Sequence, residues 1–132
     1  MIDRDRLVEL IEADRYADHL GIRLSDASGV DGAGVEVEMT IEDRHCNFLG
    51  GLHGGALFSL ADCALSLASN HASTAVAVDT HLVLNGRAEI GDTITAVAEE
   101  VTRGRTMGTY RITISRGDGR TVGLFTGTVL LV

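Results

Sequence analysis

At 132 residues the chain is long enough for one domain that buries about two-thirds of its unfolded surface. Aromatic residues make up only 4% and tryptophan is absent, so the core has to be built from Leu, Val, Ile and Ala. A net charge of -8 argues against nucleic acid or an anionic membrane as partner, since either would call for a basic surface.

Cys46 and Cys63 make no disulfide framework and read as two reduced thiols. The stretch Met1-Ile2-Asp3-Arg4-Asp5-Arg6 has no apolar segment of the kind a signal peptide needs. The longest apolar run is too short to span a bilayer and contains Asp62. The expectation is a cytoplasmic protein with no membrane association.

In chain order, residues 3 to 20 read as one amphipathic helix. Asp3 is its cap, Leu7, Leu10, Ile11 and Leu20 its apolar stripe, and Gly21 its end. Its other face is ordinary for a solvated helix and is assigned no chemistry. Residues 22 to 28 can form a short strand, and Gly29 to Gly34 a turn. Val35 to Ile41 alternates apolar and polar residues as a half-buried antiparallel strand does. Residues 42 to 53 show little periodicity and read as a loop. His53 to Asn70 reads as a helix opened by two glycines, with Leu57, Leu60, Ala61, Ala64, Leu67 and Ala68 on one face. Four strands follow, over residues 74 to 84, 92 to 102, 106 to 116 and 120 to 132, separated by glycine-containing turns and uninterrupted by proline. One apolar helix among antiparallel strands implies an α+β fold, a curved sheet of about six strands wrapped around that helix. No linker or internal repeat divides residues 1–132.

The face of the helix opposite the stripe carries Ser59, Asp62, Ser66 and Ser69, and Asp62 is the only charge from Gly54 to Asn70. Such a carboxylate is exposed, paired or kept for function. At the start of the helix, the Gly54 and Gly55 N–H groups lack intrahelical acceptors and have the positive end of the helix dipole behind them, which suits a developing oxyanion. The same two glycines also simply permit a tight loop-to-helix turn. Eight residues separate Gly54 from Asp62, about 12 Å along the axis. An attacked carbonyl needs its oxyanion donor and its base or nucleophile each within about 3–3.5 Å. One helix cannot supply both. If both act, two helices must lie antiparallel about a two-fold axis, so that Gly54 of one subunit meets Asp62 of the other. Asn47 can supply an amide to the carbonyl or the water, or it can shape its loop. His53 can touch substrate or cap the helix. Asp79 and His81 share a strand face, at a pocket or, more simply, at an exposed surface or a subunit contact. Arg103 and Arg105 flank Gly104 at a strand end and can hold a phosphate, although surface arginines are common. The His and Cys spacing fits no metal motif, and no G-x-S-x-G supports a serine triad.

The stretch from Asn47 through His53-Gly54-Gly55 to Asp62 resembles the signature of hotdog-fold acyl-CoA thioesterases, in the phenylacetate-catabolism type. The resemblance extends to Leu20-Gly21-Ile22, the strand order and the Arg103-Gly104-Arg105 turn. It implies a hotdog fold assembled as a dimer of dimers, a homotetramer that hydrolyses acyl-CoA. Coenzyme A is then part of the substrate, and no separate cofactor is needed. Asp62 matches the nucleophile or general base, Gly54 the oxyanion donor from the opposite subunit, and Asn47 the residue positioning water or thioester. His53 and Gly55 lie beside the substrate, and Arg103 and Arg105 match cationic residues near the CoA phosphates. Two departures stand out. Ala77 replaces a serine that orients water in some relatives, leaving Thr80 as the nearby hydroxyl, and Leu84-Asn85-Gly86-Arg87 lacks the usual proline. Three other readings compete: an acyl-thioester hydratase or dehydratase using His53 and Asp62, a non-catalytic acyl-CoA-binding module, and a dimerisation module without ligand.

Overall fold

A computed structural model describes all residues 1–132. The N-terminal helical region is two helices rather than one, α1 (Arg4–Ala13) and α2 (Arg15–Leu20). Asp3 caps α1 through the Asp5 and Arg6 N–H groups, as expected, and Gly21 closes α2 in the left-handed conformation at φ 74°. The expected single helix breaks at Asp14, whose side chain accepts the Ala17 N–H and starts a new helix. The expected strand at 22 to 28 shrinks to β1 (Arg23–Leu24). Ser25 and Ser28 instead pair through their hydroxyls with the Glu36 carboxylate and the Glu36 N–H, which folds the following residues into a loop.

The remaining elements fall close to where the sequence puts them: β2 (Val35–Thr40), α3 (Gly54–Asn70), β3 (Ala75–Leu84), β4 (Thr93–Arg103), β5 (Met107–Arg116) and β6 (Thr121–Leu131). All six strands form one antiparallel sheet in the order β1-β2-β4-β5-β6-β3. The helix α3 lies across its concave face and touches every strand from β2 to β6. All six residues of its predicted stripe are buried, and Cys63, Leu65 and Ala56 widen the buried arc.

Two glycines of β6 let the helix come this close. A side chain at Gly127 would meet Leu65 at 2.7 Å, and one at Gly123 would meet Leu57 at 3.0 Å. Both positions face the helix, four residues apart on one strand face. The serines of α3 divide unexpectedly. Ser59 and Ser69 turn their hydroxyls back onto the Gly55 and Leu65 carbonyls, and Ser69 is buried, while Ser66 is exposed. No helix is long and apolar enough to cross a membrane.

Candidate active site

The loop before α3 is pinned by a histidine to which the sequence reading gives no role. His45 is buried, its Nδ1 accepts the Glu42 N–H, and its Nε2–H donates to the Leu20 carbonyl at 2.7 Å. That bond ties the loop to the end of α2. Cys46 and Leu52 then pair as an isolated bridge, and Asn47 closes the tip between them. The Asn47 Oδ1 accepts the Leu49 and Gly51 N–H groups at 2.9 and 3.3 Å. Asn47 therefore shapes its loop with its oxygen and keeps its amide NH2 free to donate.

His53 is the cap of α3. Its Nδ1 accepts the Gly55 N–H at 2.8 Å, so in the neutral ring Nε2 carries the proton. The Gly55 donor is thereby spent. The Gly54 N–H has no acceptor in the chain, and the Ala56 and Leu57 donors go to the His53 carbonyl. The helix mouth offers one free donor rather than two, backed by a 17-residue helix dipole. Leu84 of β3 packs beside Gly54.

Asp62 stands two turns further along, half-buried in a cavity of about 160 Å³ between α2 and α3. Asp14, Tyr16, Ala17 and Ile22 form one wall, and Phe58, Ser59 and Cys63 flank Asp62 on the other. Phe58 is held edge-on to Phe125, with ring centroids 5.3 Å apart. No ion pair reaches the Asp62 carboxylate. Burial, and then the neighbouring Asp14 charge, raise its pKa above the ordinary Asp value. The same causes, with Asp62 itself, push the Cys63 thiol up to about 12, so this cysteine stays protonated and inert.

A raised carboxylate is better tolerated protonated. Its contribution to folding is complete below the ordinary Asp range and is lost as pH rises through the raised folded value. Asp62→Asn, which cannot ionise, is expected to melt at or above the wild-type temperature at neutral pH. The advantage should close as pH falls below the ordinary Asp range, as paired thermal melts across pH would show.

The other predicted residues lie elsewhere. Thr80 is half-buried on the α3-facing side of β3, opposite Gly127, and Ala77 is exposed just before a bulge at Val78. Asp79 and His81 are exposed. Arg103 turns inward from its strand end. Its guanidinium donates to the Tyr110 hydroxyl, to Ser73 Oγ and, at 3.5 Å, to the Ser69 carbonyl. It lines a larger cavity of about 650 Å³ under the C-terminal end of α3, away from Asp62. Of the two arginines that the resemblance assigns to CoA phosphates, only Arg105 is exposed and without a protein partner. Within one chain, Asn47 and Gly54 do not line the Asp62 cavity.

The N-terminal helical region, assigned no chemistry from sequence, thus supplies Asp14, Tyr16 and Ala17 to the wall facing Asp62. An Asp-x-x-Ala cap at Asp14 was the available signal, hidden inside an otherwise continuous helical pattern.

Comparison with known proteins agrees with this architecture. Residues 49–123 match the Thioesterase superfamily. A putative esterase of Deinococcus radiodurans is 41% identical over 119 residues, covering 89% of this chain and 80% of that one. The acyl-coenzyme A thioesterase PaaI of Escherichia coli K12 is 37% identical over 121 residues, covering 89% and 83%. The solved structure of E. coli PaaI, from the phenylacetic acid degradation operon, superposes with a TM-score of 0.87 at 30% identity, over 97% of this chain and 91% of that one. A Streptococcus mutans protein solved bound to acetyl CoA superposes with a TM-score of 0.72 at 26% identity, over 74% and 80%. The chain belongs to the thioesterase superfamily, as a hotdog-fold thioester hydrolase of the PaaI branch.

Proposed function

We propose that this thioesterase is a cytoplasmic enzyme that hydrolyses acyl-CoA thioesters carrying an aromatic acyl group, at two composite sites in a homodimer that pairs again into a tetramer. The observation that carries the reading is the free Gly54 N–H on the same rigid helix as an unpaired Asp62, at a spacing that forbids both from serving one carbonyl within one chain.

Three further features support it. The strand β3 is a ten-residue sheet edge with no proline or lysine, and Val76, Val78, Val83 and Leu84 are exposed on it. Edges of that length and character are normally covered, and a second copy of the same strand covers it symmetrically. Two of the five aromatic side chains of the protein, Tyr16 and Phe58, wall the Asp62 cavity, which favours a flat aryl group there. The similar E. coli protein is an acyl-coenzyme A thioesterase from a phenylacetic acid degradation operon, and the similar S. mutans protein binds acetyl CoA.

In this reading the thioester carbonyl oxygen points at the Gly54 N–H, with the Asn47 amide beside it. Asp62 of the facing subunit takes a proton from water, whose oxygen bonds to the carbonyl carbon. In the same reading Thr80 approaches from the sheet side, and Arg105, exposed, would hold a CoA phosphate. A thiol-release screen of aliphatic, phenylacetyl, hydroxybenzoyl and hydroxyphenylacetyl CoA thioesters tests the proposal. The highest kcat/KM is expected with an arylacetyl thioester. Preference for a straight aliphatic chain would overturn the acyl assignment, and absence of thiol release from all of them would overturn the activity.

A further inference from the structure

Asp14 stands where the N-terminal helical region breaks. It ends α1 by giving its backbone N–H to the Ile11 carbonyl at 3.1 Å, and it opens α2 by accepting the Ala17 N–H on Oδ1 at 2.9 Å. A capping side chain sits at the end of its helix rather than along its flank. Here that end borders the cavity between α2 and α3, with Asp62 on the opposite wall.

The titratable groups facing Asp62 are Asp14 at the cap of α2, Tyr16 from α2 and Cys63 from α3. No Arg, Lys or His lines the cavity, and no strand contributes to it. Two carboxylates in a small hollow without a cation repel each other, and a proton on Asp62 relieves the repulsion. Asp14 is the one charged neighbour acting on Asp62, and it acts on Cys63 in the same sense. The Ala17 N–H bond holds Asp14 in place, so its charge is fixed in position.

We propose that Asp14 is a positioning residue for thioester hydrolysis: its charge, held by the α2 cap across the cavity, makes Asp62 a stronger acceptor for the proton of the attacking water. The inference rests on the assignment of Asp62 given above. In the step it favours, a water proton moves to Asp62 while the water oxygen bonds to the carbonyl carbon, and the carbonyl electron pair moves onto oxygen at the Gly54 N–H. When that pair returns, the C–S bond breaks and the departing sulfur takes the proton from Asp62. Acid and CoA thiol are the products, and the carboxylate is restored.

Asp14→Asn tests this cleanly, because Asn is as good a cap as Asp but carries no charge. The pH profile of kcat/KM is measured by thiol release for wild type and variant, on whichever CoA thioester the wild type hydrolyses fastest. The acid limb should move to lower pH by about 0.5–1 unit, the scale of one like charge across a wet cavity, with KM and Tm little changed. Asp14→Ser, another capping residue without charge, should give the same displacement. An acid limb that stays in place in both Asn and Ser variants overturns the inference. So does a loss of activity that merely follows a loss of Tm. If Asp62→Asn itself retains turnover, the assignment of the base fails instead, and the two failures are distinguishable.

Discussion

Gly54→Pro should lower kcat by roughly 10²–10³-fold while leaving the fold intact, whereas Gly54→Ala should cost far less. Gly54 is the first residue of α3, where proline is well tolerated because the N–H has no intrahelical partner to lose. The preceding His53, at φ -69° and ψ 133°, already has the extended backbone that a following proline requires. The substitution therefore replaces the donor hydrogen with the ring Cδ at the helix mouth and breaks no intrahelical bond. Alanine keeps the donor, and its methyl group would meet Leu84 at 3.5 Å, an ordinary contact. Steady-state thiol release together with circular dichroism separates the two effects. Equal activity of the Pro and Ala variants would show that the helix mouth does not hold the oxyanion.

Co-expression of Asp62→Asn with Gly54→Pro should restore activity that neither variant has alone. In a mixed dimer, Gly54 of one chain faces Asp62 of the other at one site, and both lesions fall together at the second. Half of randomly assorted dimers are mixed and each keeps one intact site, so recovery to about a quarter of wild-type activity is expected. Sites confined to single chains would recover nothing. The measurement thus reports on the composite site without a structure of the assembly.

Much of this molecule was legible because its signals were local. The α3 boundaries follow from a glycine pair at one end and loss of helical periodicity at the other, and β3 to β6 follow from Val, Ile and Thr runs broken by glycine turns. The spacing of Gly54 and Asp62 is fixed once the helix is. What was not legible depended on which of two local preferences won. Residues 3 to 20 keep a helical apolar stripe through Asp14, and a capping bond to Ala17 decides that there are two helices. Ser25 and Ser28 bond Glu36 through their own hydroxyls, and residues 26–29 turn away from the extended form of Arg23–Leu24. Other features needed the third dimension. Nothing in the sequence around Arg103 says that it turns toward Tyr110 rather than solvent, or that His53 spends one of the two glycine donors. Gly123 and Gly127 were readable in principle as a strand face kept bare for a helix.

Assembly order follows from the strand order. The strands β4, β5 and β6 form a meander of sequence neighbours, which can pair as soon as short turns close. The strand β3 precedes them in the chain yet pairs with the last of them, Leu84 with Gly123 and Ala75 with Leu131. Its place on the sheet does not exist until β6 has been laid down, and the loop closed to reach it spans the whole meander. The edge through which two copies would join is therefore completed only once β6 is in place. A long apolar edge is a hazard while a chain is still open. Placing it on a strand that docks only after β6 keeps it from forming ahead of the meander it pairs with.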